Sequence, residues 1–574
     1  MGSLDVSVMY QLVWIILNLG LPALLTYLVN TLVASEPFRR TLGDRSVPLT
    51  PYWIPVLGHG LSFFWNTAIV GELSKKAQQG VVCLQLFTTK INFVNGSDNI
   101  MTVWRSKDLD AQAVTMFSLK EFFDTPEQSM KAYHRDTSGI NPQPHPKSNV
   151  ATKDRYYFQN RKHIVGFFNG PGLRSMGNRF ATLLTQEISQ VRLEDGWTMH
   201  EDLYAFIQNL LIRPAVEAMC GPVLFEQNPD FGKKFWEIDS DIFYFFKAYP
   251  RWVVPRAYAN RNKLLRSVKQ WHEFARAGFD DSCVESDGHD RFYGSPLMRS
   301  RQDYLSKIEH LDADAIASQD LGLLWAENAN SIPAVFWMMY ETLQRPTVLV
   351  QALDEVATSR SLSFPPSNPS VNVETLCRVP ILQSMYAETL RLYISLFSLR
   401  SAIHGNFKFG KHTIPQGELI AVDSRVSAMD QRIWSTGAID SSGEPPHPLE
   451  HWWAERFLVS PDDPSSGPVR PQASQGRPPA EPVSSSPGHG HLRFTTEGLA
   501  GAWTPYGGGP RQCPGRNFAK QEIIVAFVLI FSMLEIELLD TKPVKPNLKY
   551  YGLGTLPPRG KVPFRMRKNR GLDG

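Results

Sequence analysis

Cys513 is preceded by a glycine-rich run and followed by an apolar stretch, 518–534, that predicts a helix. The dipole and backbone N–H groups of a helix N-terminus favour the thiolate form of a cysteine, which is the form that binds metals. Gly507, Gly508 and Gly509 in the run lack a Cβ that would hold a large flat ligand away from the backbone. Arg511 can meet an anion beside the metal. A thiolate, a flat ligand and an anionic edge together indicate haem with a cysteine axial ligand.

The same run resembles the haem-binding loop of the cytochrome P450 family. The matching positions are Tyr506, Gly509, Arg511, Cys513 and Gly515. Tyr506 stands where the family usually has phenylalanine, and its hydroxyl needs a hydrogen-bond partner. A buried, unreactive side chain is the commoner fate of a lone cysteine, but the surrounding pattern favours the metal ligand.

Two further short patterns resemble the family in the same order along the chain. Glu388 and Arg391 have the i, i+3 spacing of one helix face, which taken alone is usually a surface ion pair. Here they resemble the family's Glu-x-x-Arg on the helix beneath the haem. The segment 453–457 resembles a second family motif. The resemblance implies that Arg456 joins the other two residues in a buried triad that holds the cysteine loop.

The resemblance also implies where the carboxylate edge of the haem lies. Arg400 would reach a haem propionate, as would Arg511. A third basic contact would come from one of Arg161, Lys162 and His163, among which the sequence does not choose.

The centre of the long helix predicted to start at Asp312 departs from the family pattern. Members that insert oxygen usually carry an acid followed by threonine there, and these positions hold Ala329 and Asn330, followed by Ser331. Glu327 is two positions early and is predicted to point elsewhere. Pro333 should kink the helix and open a polar groove. The alternative is a kink accommodated for packing, with Asn330 tied to the freed backbone.

Composition excludes several other classes of protein. The chain has 574 residues, a net charge of +3 and five cysteines without C-x-x-C spacing. A charge this small does not indicate nucleic-acid binding. Scattered cysteines argue against a disulfide framework or a zinc site and suit a reducing compartment.

The N-terminal segment predicts a membrane anchor. No charged residue lies between Asp5 and Glu36, and residues 8–34 are long enough to cross a bilayer. A cleaved signal peptide is the alternative, but it would carry a basic start and a shorter apolar core. Arg39 and Arg40 follow the span, so the expected location is the endoplasmic reticulum membrane, single-pass, with the catalytic domain in the cytosol.

The predicted fold is mainly α with a small β region, the cytochrome P450 fold, behind one transmembrane helix. Residues 1–35 form the anchor, 36–60 a basic and proline-rich hinge, and 61–574 the haem-thiolate catalytic domain. Residues 460–491, rich in Pro, Ser and Gly, are predicted to be a flexible insertion. The aromatic segment 241–254 is either ordinary core or a lid that touches the bilayer.

The resemblance implies a monooxygenase that uses haem b and takes electrons from NADPH only through a membrane-bound flavoprotein reductase. Cys513 would be the iron ligand, and Asn330 and Ser331 would relay protons. The reductase is predicted to dock at a basic face formed by Arg511 and two following cations, Arg516 and Lys520.

The predicted substrate is a hydrophobic small molecule: a secondary metabolite, a terpenoid or a sterol-like compound. It would contact four mostly apolar stretches at 116–123, 325–330, 394–399 and 552–556. The pattern around Pro333 resembles the branch of bile-acid sterol hydroxylases and prostacyclin synthase, and the style of the sequence resembles filamentous-fungal enzymes. Asn330 occurs in both kinds of branch member, so an isomerase or dehydratase acting on a peroxide without a reductase stays open. A non-catalytic haem-binding sensor is the third alternative.

Overall fold

The computed structural model describes residue 14 and residues 16–75, 80–193, 196–363, 370–438, 444–463, 465–470 and 492–569. Helices supply the largest share of these residues. In chain order they are α1 Leu21–Ala34, α2 Glu36–Thr41, α3 Gly60–Trp65, α4 Ile69–Lys75, α5 Ser97–Arg105, α6 Gln112–Phe117, α7 Met130–Arg135, α8 Tyr156–Phe168, α9 Pro171–Ser189, α10 Leu203–Cys220, α11 Val223–Gln227, α12 Phe231–Asp239, α13 Ile242–Phe246, α14 Pro255–Gly278, α15 Pro296–Ser306, α16 Ala313–Leu343, α17 Pro346–Ser359, α18 Val373–Leu376, α19 Pro380–Tyr393, α20 Ser424–Ala428 and α21 Arg516–Met533.

The β region is small and is split among several sheets. The strands are β1 Gly80–Leu86, β2 Thr89–Asn95, β3 Leu109–Asp110, β4 Thr198–His200, β5 Leu362–Ser363, β6 Ser370–Val371, β7 Ile394–Ala402, β8 Phe407–Phe409, β9 His412–Ile414, β10 Leu419–Asp423, β11 Leu458–Val459, β12 Arg493–Phe494, β13 Leu534–Leu538, β14 Leu553–Thr555 and β15 Phe564–Lys568. The largest sheet runs β1-β2-β10-β7-β14, with β3 also on β7. Only its β2–β10 pair is parallel. The predicted mainly helical class with a small β region is confirmed.

Helix α16 passes through the main hydrophobic core and carries much of the site. It has 31 residues, so it is about 46 Å long at about 1.5 Å per residue. The Asp312 carboxylate caps it by accepting from Ala315 N–H at 2.8 Å. The helix packs against α10, α14, α19 and α21. The cap at Asp312 and the end before Pro346 are as predicted.

The cysteine loop leads into α21, so the predicted helix after Cys513 is confirmed. All its residues from Ile523 to Phe531 are buried. A helix that is apolar on every side must be surrounded by protein, and α21 is enclosed by α9, α16 and α19. Burial of α21 fixes the direction in which the loop presents Cys513.

The N-terminal anchor is not confirmed by the structure. Residues 16–20 form a π-helical turn, and α1 follows with no buried residue. Among the described residues, no helix is long and apolar enough to cross a membrane. Residues 8–13 and 15 of the predicted span lie outside the described part of the chain.

The aromatic segment 241–254 divides between its two predicted roles. Its first half forms α13, where Ile242 and Phe245 are fully buried in the core. Its second half is open, and the Trp252 side chain is 82% exposed. Only this second half has the exposed apolar surface that a membrane-contacting lid requires.

The predicted insertion 460–491 is described only in part. Residues 465–470 run beside the loop after α20, where Ser435 N–H donates to Pro468 O at 2.8 Å and Arg470 N–H donates to Ile433 O at 2.9 Å. Residues 464 and 471–491 lie outside the described part of the chain.

Candidate active site

A cavity of about 550 Å³ lies between the middle of α16 and the cysteine loop. Pockets that take small organic ligands measure about 300–1,000 Å³. Each of the four stretches predicted to face the substrate contributes to the lining, through residues such as Phe123, Ala326, Leu396 and Leu553. Cys513 belongs to the same lining, so the thiol and the substrate-facing stretches share one chamber.

The Cys513 thiol opens onto this chamber. The side chain is exposed although it lies deep in the protein, because its free surface faces the cavity. Burial raises the pKa of the Cys513 thiol. Backbone N–H groups of Gly515 and Arg516, together with the Arg516 charge, oppose this rise. The helix N-terminus therefore acts in the predicted direction, but burial outweighs it. A bound metal cation deprotonates a coordinating thiol outright.

Glycine is needed in the loop for different physical reasons at different positions. A Cβ on Gly508 would lie 2.2 Å from the Trp104 ring, and a Cβ on Gly509 would lie 2.4 Å from the Trp104 carbonyl oxygen. Packing against α5 therefore requires glycine at these two positions. Gly507, with φ +64°, lines the cavity, so it fits the predicted close approach of a flat ligand.

The hydroxyl of Tyr506 has the partner that its position demands. It forms a hydrogen bond of 2.7 Å with the Tyr386 hydroxyl of α19. Cys513 N–H also donates to the Tyr506 carbonyl at 3.0 Å. This pairing ties the loop to α19 and explains how tyrosine is accommodated where the family usually has phenylalanine.

One edge of the cavity carries an excess of positive charge. Arg511 donates to Asp110 Oδ1 at 2.6 Å, while its buried Nε–H has no acceptor among the described residues. Among the described residues, Arg400 donates hydrogen bonds only to the backbone carbonyls of Leu399 and Gly508. Burial lowers the pKa of Arg400 to about 10, and repulsion by Arg511 adds to this. Two guanidinium groups thus face one carboxylate.

This edge fits an anionic group. The indole N–H of Trp104, like the Arg511 Nε–H, is buried without an acceptor in the described structure. Both residues line a second cavity that meets the first at Arg400. Orphaned donors beside an excess positive charge call for an anion. The carboxylates of a haem would supply it, and Cys513 of the same cavity would hold the iron.

Of the three α8 candidates for a further basic contact, Arg161 lies close enough to the loop to be repelled by two of its arginines. Burial lowers the pKa of Arg161, and repulsion by Arg511 and Arg516 lowers it further. His163 instead stacks on Tyr304, with ring centroids 4.3 Å apart. The geometry therefore favours Arg161.

The charged triad predicted beneath the site is present and fully buried. Arg391 holds Glu388 with two hydrogen bonds of 2.7 and 2.8 Å, and Arg456 Nε–H donates to the same carboxylate at 3.0 Å. Arg391 also donates to the carbonyls of Ala428 and Leu449. Burial opposes ionisation, but the two arginines outweigh it and lower the pKa of Glu388.

Asn330 is anchored to the strand opposite α16. Its Oδ1 accepts from Thr555 N–H at 2.9 Å, and Thr555 Oγ1–H donates to the Asn330 carbonyl at 2.8 Å. A Cβ on Gly554 would lie 1.9 Å from Asn330 Oδ1. Asn330 also lines the cavity. Its side chain thus joins α16 to β14 at the cavity wall.

Replacing Asn330 by alanine is expected to lower the unfolding free energy by about 1–3 kcal/mol, because the buried Thr555 N–H loses its acceptor. The expected functional effect is release of more hydrogen peroxide per NADPH consumed. Chemical denaturation and a peroxide assay measure the two effects. Unchanged values of both would contradict the role of Asn330 at the cavity wall.

Glu327 corrects the sequence prediction. It was expected to point away from the groove, but it lines the cavity together with Ser331. Pro333 has no N–H to donate to the carbonyl of Ala329, four residues back. In the preceding turn, Ser331 Oγ–H donates to the Glu327 carbonyl at 2.8 Å.

Sequence reasoning missed several residues of the site: Asp110, Trp104, Tyr386 and Glu522. Glu522 of α21 lines the same cavity as Glu327. The sequence feature that could have revealed Glu522 is its place as an acidic residue directly before the uninterrupted apolar run at 523–531. The other three lie far along the chain from the loop that they contact, and no local pattern marks them.

The predicted docking face also needs correction. Arg511 faces the cavity and is paired with Asp110, and Lys520 Nζ donates to Gln383 Oε1 at 2.6 Å. Burial lowers the pKa of Lys520. Of the three predicted cations, Arg516 alone remains near the surface, where it donates to the Cys513 carbonyl at 3.1 Å.

Taken together, a cavity-facing thiol at a helix N-terminus and a cationic edge with orphaned donors define a haem-thiolate site. Comparison with known proteins agrees. The cytochrome P450 family model matches residues 58–437 and 492–564. The chain belongs to the cytochrome P450 family.

Individual relatives refine the comparison. The chain is 31% identical to cytochrome P450 monooxygenase fsoE of Humicola fuscoatra, over 91% of this chain and 88% of that protein. It is 28% identical to cytochrome P450 monooxygenase efuG of Hormonema carpetanum, over 97% of this chain and 96% of that protein. Cholesterol 7-alpha-monooxygenase of Cricetulus griseus is 26% identical over 48% of this chain and 49% of that protein. The predicted resemblance to fungal enzymes and to the sterol-hydroxylase branch is confirmed.

The enzyme is therefore a cytochrome P450 monooxygenase, an oxidoreductase with haem as its cofactor and Cys513 as the axial thiolate. Bound haem supplies the reductive cleavage of dioxygen, which thiolate ligation favours. The surrounding residues line the cavity where they would bind and orient the cofactor: Arg400 and Arg511 at its anionic edge, Gly507 and Gly515 in the loop, and Tyr506 beside the ligand.

Proposed function

We propose that the enzyme oxidises a hydrophobic terpenoid or sterol-like molecule of secondary metabolism, using dioxygen and electrons that a flavoprotein reductase takes from NADPH. The observation that carries the substrate class is the cavity wall, which is mostly apolar away from the cationic edge. An apolar chamber recognises a ligand by area and shape rather than by charge. The Cricetulus griseus relative is named cholesterol 7-alpha-monooxygenase, and cholesterol is polycyclic, which supports a polycyclic substrate.

The chain's own residues would position such a substrate. Leu396 and Leu553 lie on the paired strands β7 and β14, and Phe123 packs from the other side against α16. Because Asn330 fixes β14 to α16, it also fixes the distance between the two walls. We propose that this clamp orients the carbon to be oxidised.

Labelled dioxygen tests the reaction. The holoenzyme, a membrane reductase and NADPH are incubated with a panel of sterols and terpenoids under ¹⁸O₂. We expect one ¹⁸O atom in the product and no product without NADPH. Conversion of a lipid peroxide at equal rates with and without NADPH, with no label incorporated, would establish the isomerase alternative instead.

We also propose that residues 1–35 hold the enzyme at the endoplasmic reticulum membrane, with its catalytic part in the cytosol. The charge-free N-terminal segment supports this. So do the exposed side chains of Trp53, Trp65 and Trp252, which are more than half exposed. Deleting residues 2–35 is expected to release most of the enzyme from alkali-washed membranes. Full-length enzyme that washes off in alkali would contradict the anchor.

A further inference from the structure

One corner of the otherwise mostly apolar chamber is polar. Asn160 of α8, Arg301 of α15 and Gln319 of α16 all line the cavity. Arg301 joins the three helices, because it donates to Asn160 Oδ1 at 2.7 Å and to Oδ1 of Asp320, the neighbour of Gln319, at 2.7 Å. The three lining residues therefore form one polar corner where α8, α15 and α16 meet.

The charge of Arg301 is balanced within this polar corner. Arg301 and Asp320 are both buried. Burial opposes ionisation of Asp320, but the Arg301 charge outweighs it, so the pKa of Asp320 is lowered. A carboxylate or an ammonium group of a ligand would be buried here without a free counter-charge, which is costly. The polar corner therefore suits an uncharged polar group.

The amide of Asn160 has one fixed orientation. Its Oδ1 accepts from Arg301 and also from the Tyr304 hydroxyl at 2.9 Å. A guanidinium group can only donate, so the amide oxygen must face Arg301 and the Nδ2–H groups must face away from it. Asn160 is half-buried, and its Nδ2 has no acceptor among the described residues. Asn160 therefore offers a hydrogen-bond donor at the cavity wall.

Gln319 offers the complementary acceptor. Its Nε2–H donates to the Tyr133 hydroxyl of α7 at 2.6 Å. Its Oε1 is buried and has no donor in the described part of the chain. Leaving a buried acceptor unmatched is costly, so a ligand group that donates to Gln319 Oε1 gains affinity. The polar corner thus lacks one donor and one acceptor.

We propose that the polar corner binds a hydroxyl group, and that the substrate is a terpenoid or sterol-like alcohol. A hydroxyl can accept from Asn160 and donate to Gln319 at the same time. A ketone can only accept, and a hydrocarbon can do neither. This inference rests on the oxidation proposed above and narrows its substrate class.

The position of the polar corner also predicts where the substrate is oxidised. Gln319 and Asn330 lie about 16 Å apart along α16, at about 1.5 Å per residue. The clamp that Asn330 forms with β14 was proposed above to orient the reacting carbon. An alcohol held at the polar corner must extend along α16 toward this clamp. The enzyme therefore oxidises a carbon remote from the hydroxyl that it recognises.

Binding of three probes with one carbon skeleton tests the polar corner without turnover. Cholesterol, the ketone at the same carbon and the hydrocarbon without the oxygen are each equilibrated with the holoenzyme by dialysis, as are the same three forms of a terpenoid alcohol. We expect each lost hydrogen bond to weaken binding by about tenfold, so the alcohols bind tightest and the hydrocarbons weakest. Equal affinity for alcohol and hydrocarbon in both series, or failure of both alcohols to bind, would overturn the proposal.

Two variants assign the two hydrogen bonds. Asn160→Asp keeps an oxygen for Arg301 and Tyr304 but removes the N–H donors, so the ketone should bind no better than the hydrocarbon. Gln319→Met keeps the side-chain length but removes the acceptor, so the alcohol should bind only as well as the ketone. Wild-type affinities for all three probes in either variant would overturn the proposal.

Thr115→Val is the matched control. Thr115 also lines the cavity, but its hydroxyl already donates to the Ala111 carbonyl at 3.1 Å. This variant should keep the order of the three probes, and loss of that order would overturn its assignment to the polar corner. Failure of the proposed function looks different: the alcohol is still preferred, but no ¹⁸O is incorporated.

Discussion

Replacing Cys513 by serine is expected to abolish monooxygenase turnover and to remove the sulfur ligand from the iron. Serine preserves the size of the side chain, but its hydroxyl stays protonated near neutral pH and is a poor ligand for haem iron. X-ray absorption at the iron edge of the haem-loaded protein should therefore lose its sulfur scatterer. The effect should exceed that of any other single substitution in the chamber, because no other cysteine and no histidine of the described chain lines the cavity.

Cys377→Ser is the matched control for this experiment. Cys377 is a buried thiol outside the cavity lining, and burial raises the pKa of Cys377 to about 12. This variant should retain the sulfur scatterer and its activity. A sulfur signal that survives in Cys513→Ser but disappears in Cys377→Ser would reassign the axial ligand.

Neutralising Glu388 should have the largest effect on stability. Glu388→Gln leaves two buried arginines facing an amide, and breaking a buried ion pair from one side costs about 3–5 kcal/mol. The total stability of a domain is only about 5–15 kcal/mol. We therefore expect a large fall in the urea midpoint and poor retention of haem, because the triad holds the segment beneath the cysteine loop.

The exposed ion pair of Glu374 with Arg174 and Arg378 provides the comparison. Surface pairs contribute about 0–1 kcal/mol. The unfolding free energy of Glu374→Gln should therefore differ from that of the wild type by no more than this amount. Equal stability of Glu388→Gln and Glu374→Gln would contradict the structural role of the triad.

The triad also predicts a direction for acid sensitivity. The pKa of Glu388 is lowered in the folded protein. Its stabilising contribution is therefore present above the pKa of the unfolded chain and is lost as the pH falls through the folded pKa. The wild type should lose stability more steeply than Glu388→Gln in this acidic range. Parallel pH profiles of the two proteins would contradict this linkage.

Sequence reasoning worked best where the determining residues are close together along the chain. The cysteine loop, the Glu388–Arg391 pair and the cap at Asp312 are local patterns, and each folds as predicted. The roles of Gly508 and Gly509 were misjudged because their partner, Trp104, belongs to a distant helix. Glu327 was misplaced because its proximity to Glu522 depends on how α16 crosses α21, which no local pattern encodes.

The carbon monoxide spectrum of the reduced, haem-loaded protein tests the central claim most directly. Thiolate ligation by Cys513 predicts the strongly red-shifted absorption band of carbon-monoxide-bound thiolate haem. A band at the shorter wavelength typical of imidazole-ligated haem, in freshly reduced and still active enzyme, would show that Cys513 does not hold the iron.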